Sequence, residues 1–227
     1  MDRNEAAAVE PPQVFKPLPD RTTDGQRSFY DCLAEVFQVL GLELPPAPAD
    51  QRGWEDRTRA VLRKACAPAA NLPEQSFAAL LKTAVHDPDP SFNRQFIEPA
   101  RDRFGLLRVR TALLEYLQLG TNAQRAGAAR AWYWARFSTK QFSEQQETGQ
   151  PESGDSQTVL TEWNETALRE FVTNEDLDVR RCILPGLRLN RSAYPPDLHP
   201  LVTTAISIAR SHPDDYIRHR IEHQVGS

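Results

Sequence analysis

The sequence predicts an all-α fold built as a stack of antiparallel helix pairs, and three observations lead to it. Two stretches 38 positions apart share one pattern: Thr173-Asn174-Glu175-Asp176-Leu177-Asp178-Val179-Arg180-Arg181-Cys182-Ile183 and Ser211-His212-Pro213-Asp214-Asp215-Tyr216-Ile217-Arg218-His219-Arg220-Ile221. Each opens on a hydroxyl residue, passes through an acidic turn, and continues with a β-branched residue, an Arg and a second aliphatic at helical spacing. Elsewhere, apolar residues recur every three or four positions between turn signals. Aromatic residues make up only 8% of the 227, so aliphatic side chains and Ala supply the core.

Residues 1–25 mix Pro, acids and small polar residues without apolar period and read as a disordered tail, leaving 26–226 as a single domain. A first helix places Phe29, Leu33, Val36, Phe37 and Leu40 on one stripe and stops at Gly41. Pro45-Pro46-Ala47-Pro48 then imposes an extended linker, because proline fixes φ and biases its predecessor away from helical angles. Trp54 to Cys66 is the second helix, with Val61, Leu62 and Ala65. A helix from Pro73 to Val85 follows, and the turn His86-Asp87-Pro88-Asp89-Pro90 leads to another carrying Phe92, Phe96 and Ile97. Leu106 to Leu119 packs Val109, Leu113, Leu114 and Leu117, and Gly120-Thr121-Asn122 turns it into an Ala/Arg helix ending in Trp132-Tyr133-Trp134.

A Gln-, Ser-, Glu- and Gly-rich stretch at about 139–157 interrupts this rhythm and reads as a flexible acidic insertion. Val159 to Val172 resumes the helices, and Leu177 to Leu189 follows, kinked or ended by Pro185. After the connector Tyr194-Pro195-Pro196 come Leu198 to Arg210 and a last helix from Asp214 to about Gln224. Superposing His86 on Thr173 puts Asp87 on Asn174, Asp89 on Asp176 and Phe92 on Val179. Thr121-Asn122 fits more loosely. The successive offsets, His86 to Thr121, Thr121 to Thr173 and Thr173 to Ser211, are 35, 52 and 38. Discounting an insertion of about 15 residues leaves a period near the ~40 of helix-pair repeats.

On these residues the chain resembles HEAT-type repeats, best in Asn174 to Leu184 and next in His212 to Ile221, over about residues 73–225. The resemblance implies a right-handed α-solenoid of about four repeats preceded by two N-terminal helices, its second helices lining a concave surface. It also implies that turn acids and second-helix arginines order the stacking, which assigns Asp176, Arg180, Asp214 and Arg218 a structural role.

The formal charge of −4 hides a segregation. Between Ala100 and Ser138, seven Arg face Asp102 and Glu115, and between Gln141 and Asp178, ten acids face Arg169 alone. Two solvated faces of opposite sign are the expected reading, with steering of a charged partner or of a second copy as the alternative. Cys32, Cys66 and Cys182 are odd in number, lie in apolar helical patterns and read as buried thiols. No run approaches the roughly 20 apolar residues a membrane span needs, and no leader pattern opens the chain, so the protein is expected to be cytoplasmic.

Signals of chemistry are sparse. His219-Arg220-Ile221-Glu222-His223 has the H-x-x-E-H spacing of inverted zinc peptidases, but only four residues follow His223, leaving no downstream carboxylate ligand. No metal, cofactor or catalytic residue is therefore assigned. Arg125, Arg130, Trp132, Tyr133, Trp134 and Arg136 form a basic, aromatic helix and are the expected contact surface for a protein partner, since Trp, Tyr and Arg are the usual anchors. The same residue types could hold nucleic acid. HEAT-like repeats also build alkylpurine DNA glycosylases, and Asp178-Val179-Arg180-Arg181-Cys182-Ile183 is similar to a segment of those enzymes, although their usual aromatic is replaced by Asp178. A pI near 5.8 suits duplex binding poorly. The expectation is a non-catalytic scaffold or adaptor, with a nucleic-acid-binding protein as the alternative.

Overall fold

The computed structural model describes residues 16–19, 25–46, 51–67, 71–89, 91–135 and 154–225. Among them are ten α-helices and no strand: α1 (Gly25–Val39), α2 (Gln51–Ala65), α3 (Ser76–His86), α4 (Arg94–Phe104), α5 (Leu106–Leu119), α6 (Asn122–Ala135), α7 (Gly154–Thr173), α8 (Leu177–Ile183), α9 (His199–Ser211) and α10 (Asp215–Val225). The all-α expectation holds.

Helix ends follow local chemistry. Gly41, at φ 65°, closes α1; its N–H bonds to the Gln38 carbonyl and the Leu42 N–H to that of Phe37, satisfying carbonyls the last turn leaves open. Gly105, at φ 92°, separates α4 from α5 with no intervening loop. Around Pro185 the chain leaves α-geometry at Ile183 and tightens into a 3-10 turn at Leu184–Gly186, because proline has no N–H to continue the ladder. The helix expected to run to Leu189 is thus only seven residues long.

Two series of neighbour contacts run through the molecule. Helices α1, α3, α5, α7 and α9 each touch the next of their series, and so do α2, α4, α6, α8 and α10. Within the pairs α3–α4, α5–α6, α7–α8 and α9–α10, the two helices pack on each other. Helix α6 is the most enclosed, meeting α3, α4, α5 and α8. Its buried Ala126, Gly127, Ala128, Ala131 and Ala135 explain how: small side chains let helix axes approach from several sides. Trp132 fills the remaining gap, stacked on Trp163 of α7 with ring centroids 3.8 Å apart and planes 1° from parallel.

The structure differs from expectation at two ends. Residues 16–19, assigned to the tail, lie against α6: Leu18 packs on the core and the Pro19 carbonyl accepts a hydrogen bond from Arg130. Helix α7 begins at Gly154, so 154–157 form its first turn rather than the end of the insertion. Buried Ser156 anchors that turn by accepting a 2.8 Å hydrogen bond from Arg110. The remainder of the expected insertion, 139–153, lies outside the described residues. No helix among the described residues is long and apolar enough to cross a membrane.

Candidate functional site

Three of the four turns between paired helices share one atomic device. The Asp89 N–H donates to Asp87 Oδ1 at 3.0 Å, the Asp176 N–H to Asn174 Oδ1 at 2.9 Å, and the Asp214 N–H to His212 Nδ1 at 3.1 Å. An acceptor side chain two residues ahead of an acid thus folds each turn, and His212 substitutes an imidazole nitrogen for the amide or carboxylate oxygen. In two of the turns the acid also caps the second helix: Asp176 accepts from the Val179 N–H at 2.9 Å and Asp214 from the Ile217 N–H at 3.1 Å. At Thr121 a reciprocal box replaces the device, the Thr121 N–H bonding Gln124 Oε1 and the Gln124 N–H reaching back to Thr121 Oγ1.

The four residues assigned to stacking divide by reach. Arg180 Nε donates to the Phe171 carbonyl and Arg218 Nη1 to the His212 carbonyl, so both close their own helix pair. Contact between successive pairs runs through Asp214 and through residues the repeat pattern does not single out. Arg181 of α8 donates to Asp214 at 2.6 Å, Arg59 of α2 grips Asp87 at 2.7 and 2.8 Å, and Asn174 Nδ2 donates to Asn122 Oδ1 at 2.9 Å. The repeat pattern points to Arg180, one position before Arg181, the residue that makes the contact.

The basic, aromatic helix is divided by burial. Arg130 is 4% exposed and Trp132 is 3% exposed, both interior, whereas Tyr133 is 51% exposed and Trp134 is half-buried. Arg125 reaches back to the Gln118 carbonyl and lies 3.4 Å from Glu170. Arg136 lies outside the described residues. Of the seven arginines read as a solvated basic face, Arg101, Arg110 and Arg130 are buried, so the seven do not form one solvated face. Arg130 is enclosed because its acceptors come from far along the chain: Nη1 donates to the Pro88 carbonyl at 2.8 Å and Nη2 to the Pro19 carbonyl at 3.0 Å.

Tyr133 and Trp134 instead rim a groove of about 450 Å³. One wall is Lys16-Pro17-Leu18; the other carries Cys182, Pro185 and Gly186, with Tyr216 and Arg220 of α10. The two rim rings meet edge to face, centroids 5.0 Å apart, and the Arg94 guanidinium lies 5.4 Å from the Trp134 ring centroid. Burial pushes the Tyr216 hydroxyl above its usual range. None of the described lining residues is Asp or Glu. The wall made by Lys16–Leu18 is held lightly. One charge-assisted hydrogen bond contributes about 1.5–3 kcal/mol and half-burying a leucine about 1 kcal/mol, against about 1–2 kcal/mol for each residue ordered.

The other candidate chemistries do not assemble. His219 and His223 sit with Nε2 atoms 3.1 Å apart, and burial together with His223 holds His219 below the usual imidazole range. Among the described residues, no group of three His, Cys, Asp or Glu side chains could hold a metal ion. Cys32, Cys66 and Cys182 are buried and in no disulfide, and burial pushes Cys32 and Cys66 up to about 11, far from the thiolate state needed for reactivity at neutral pH. Tyr216, Arg220 and the Lys16–Pro19 wall escape a search by helical period. The Pro17-Leu18-Pro19 spacing is the one sequence signal that could have flagged the wall, since an apolar residue between prolines favours an extended docking segment. Comparison with known proteins finds no matching family model, curated relative or solved structure.

Proposed function

We propose that the chain is a non-catalytic adaptor, a right-handed HEAT-like α-solenoid that binds a protein partner on the face formed by its second helices. Two contact series, with helices touching both their pair-mate and their counterpart in the next pair, support the solenoid, as does the turn device recurring at Asp87, Asn174 and His212. The observation that carries the binding role is the groove: two aromatic rings, one of them half exposed, rim a cavity on the side of α6, α8 and α10. Tyr and Trp anchors in a partly desolvated depression are the usual source of interface affinity.

The contact set narrows to Tyr133 and Trp134, because replacing interior Arg130 or Trp132 would disturb packing as well as binding. The Tyr133→Ala/Trp134→Ala double variant is expected to retain its far-ultraviolet circular dichroism while losing, by tenfold or more, affinity for the partner cross-linked to the wild-type chain. Undiminished capture discards this face. A second reading has one observation in its favour: Lys16, Arg130 and Arg220 line the same groove, and none of its described lining residues is Asp or Glu. That lining suits a nucleic-acid strand, though the described lining offers a glycosylase no acid. Filter binding of a DNA oligonucleotide across a salt series separates the two, since phosphate neutralisation gives a steep salt slope.

A further inference from the structure

Resting on the adaptor reading, we infer that the groove beside Arg130 takes an extended, proline-containing segment of the partner, and that Lys16–Pro19 of this chain is its resident competitor. The chain itself shows the mode of docking. Residues 16–19 are non-helical, lie along α6, leave Lys16 and Pro17 exposed and turn Leu18 onto the core. Arg130 recognises two prolyl carbonyls, those of Pro88 and Pro19, through its two terminal nitrogens. Proline has no N–H, so each prolyl residue offers a backbone acceptor and no donor, and a guanidinium offers only donors in a fixed fork. The bond from Nη1 to the Pro88 carbonyl anchors the fork independently of the resident segment, so less side-chain freedom is lost on docking.

The resident segment uses the site incompletely. Arg130 Nε is buried without a hydrogen-bond partner among the described residues, and the cavity of about 450 Å³ remains open beside Leu18. Tyr133 and Trp134 stand on its rim, and flat aromatic rings flanking a groove are the common platform for polyproline-type strands, whose backbone is ordered before binding. A longer prolyl segment can therefore hold Arg130 and also cover the rings, of which the resident segment leaves Tyr133 half exposed. Tethering gives the resident segment an effective concentration of about millimolar, enough for weak contacts to compete until a better ligand displaces them.

The test uses the full chain and a fluorescent peptide of residues 14–20, Val-Phe-Lys-Pro-Leu-Pro-Asp. Leu18→Asp unseats the resident segment at a half-buried position and is expected to bind the peptide at least tenfold more tightly than wild type does. Adding Tyr133→Ala/Trp134→Ala to Leu18→Asp is expected to abolish that gain, and a peptide with both prolines replaced by alanine to bind at least tenfold more weakly. Equal peptide affinity in wild type and Leu18→Asp, or indifference to the prolines, overturns the inference. So does displacement of the peptide by a DNA oligonucleotide with a steep salt dependence. If the peptide fails while Tyr133→Ala/Trp134→Ala still loses the cross-linked partner, the proline class falls and the adaptor reading stands.

Discussion

The turns at Asp87 and Asp214 are built on the same hydrogen bond and held by the same kind of ion pair, yet their electrostatics run in opposite directions. Asp87 and Arg59 are 0% and 2% exposed, and the guanidinium also lies over the rings of Phe29 and Phe92 at 5.0 and 4.7 Å. Burial pushes the Asp87 carboxyl up, against the pull of Arg59. Asp214 and Arg181 are 13% and 15% exposed; there, burial opposes ionisation, but hydrogen bonds from Arg181 and the Ile217 N–H outweigh it and hold Asp214 below the usual carboxylate range. One turn pattern therefore yields two energetic regimes: its ion pair falls on the acceptor, Asp87, in the first turn and on the capping acid, Asp214, in the second, and the two sit at different depths. In the buried turn the danger is a charge left alone; in the shallower one water shares the load.

The largest effect expected from breaking this contrast is at Asp87. Asp87→Ala strands the Arg59 guanidinium in the interior, and urea denaturation should show a loss of about 3–5 kcal/mol. Asp214→Ala removes a helix cap and a partly solvated pair, for a smaller loss of about 1–2 kcal/mol in the same assay. Equal losses would mean that burial does not govern the difference.

The smallest effect concerns His212, which only the shallower turn contains. Its Nδ1 accepts the Asp214 N–H and so must be unprotonated, and burial, with Arg180, Arg181 and Arg218 nearby and Asp214 opposing, holds the imidazole below its ordinary 6.5. The folded state refuses a proton that the unfolded chain takes up, so this contribution is complete above about pH 6.5 and declines as the pH falls below it. His212→Asn supplies the oxygen that Asn174 uses and is expected to flatten the fall in Tm between about pH 7.5 and 5.5. An unchanged slope would place the pH dependence elsewhere.

Much of the helical content is legible in the sequence because each outer helix buries one stripe: Phe29, Leu33, Val36 and Phe37 repeat at three and four and are all interior. The turns are legible for a similar reason, since an acceptor, a spacer and an acid fold locally. Helix α6 resists such reading. Enclosed by four helices, it has no single apolar face, and small residues surround Arg130 and Trp132, so nothing local distinguishes them from exposed Tyr133. Arg59 shows the same limit: its exposed neighbours Arg57 and Arg63 look alike in sequence, and only a carboxylate 28 residues away decides which one turns inward. The docked segment is harder still, because an extended strand held by its carbonyls leaves no periodic trace.

Arg110 has a bearing on how this chain tolerates change. Its Nε donates to the Ala135 carbonyl at 3.0 Å and its Nη1 to Ser156 Oγ at 2.8 Å, so the last residue of α6 and the first turn of α7 are staked to one guanidinium, itself 1% exposed. One side chain therefore serves two helix ends, the close of α6 and the opening of α7, and a change at Arg110 acts on both at once.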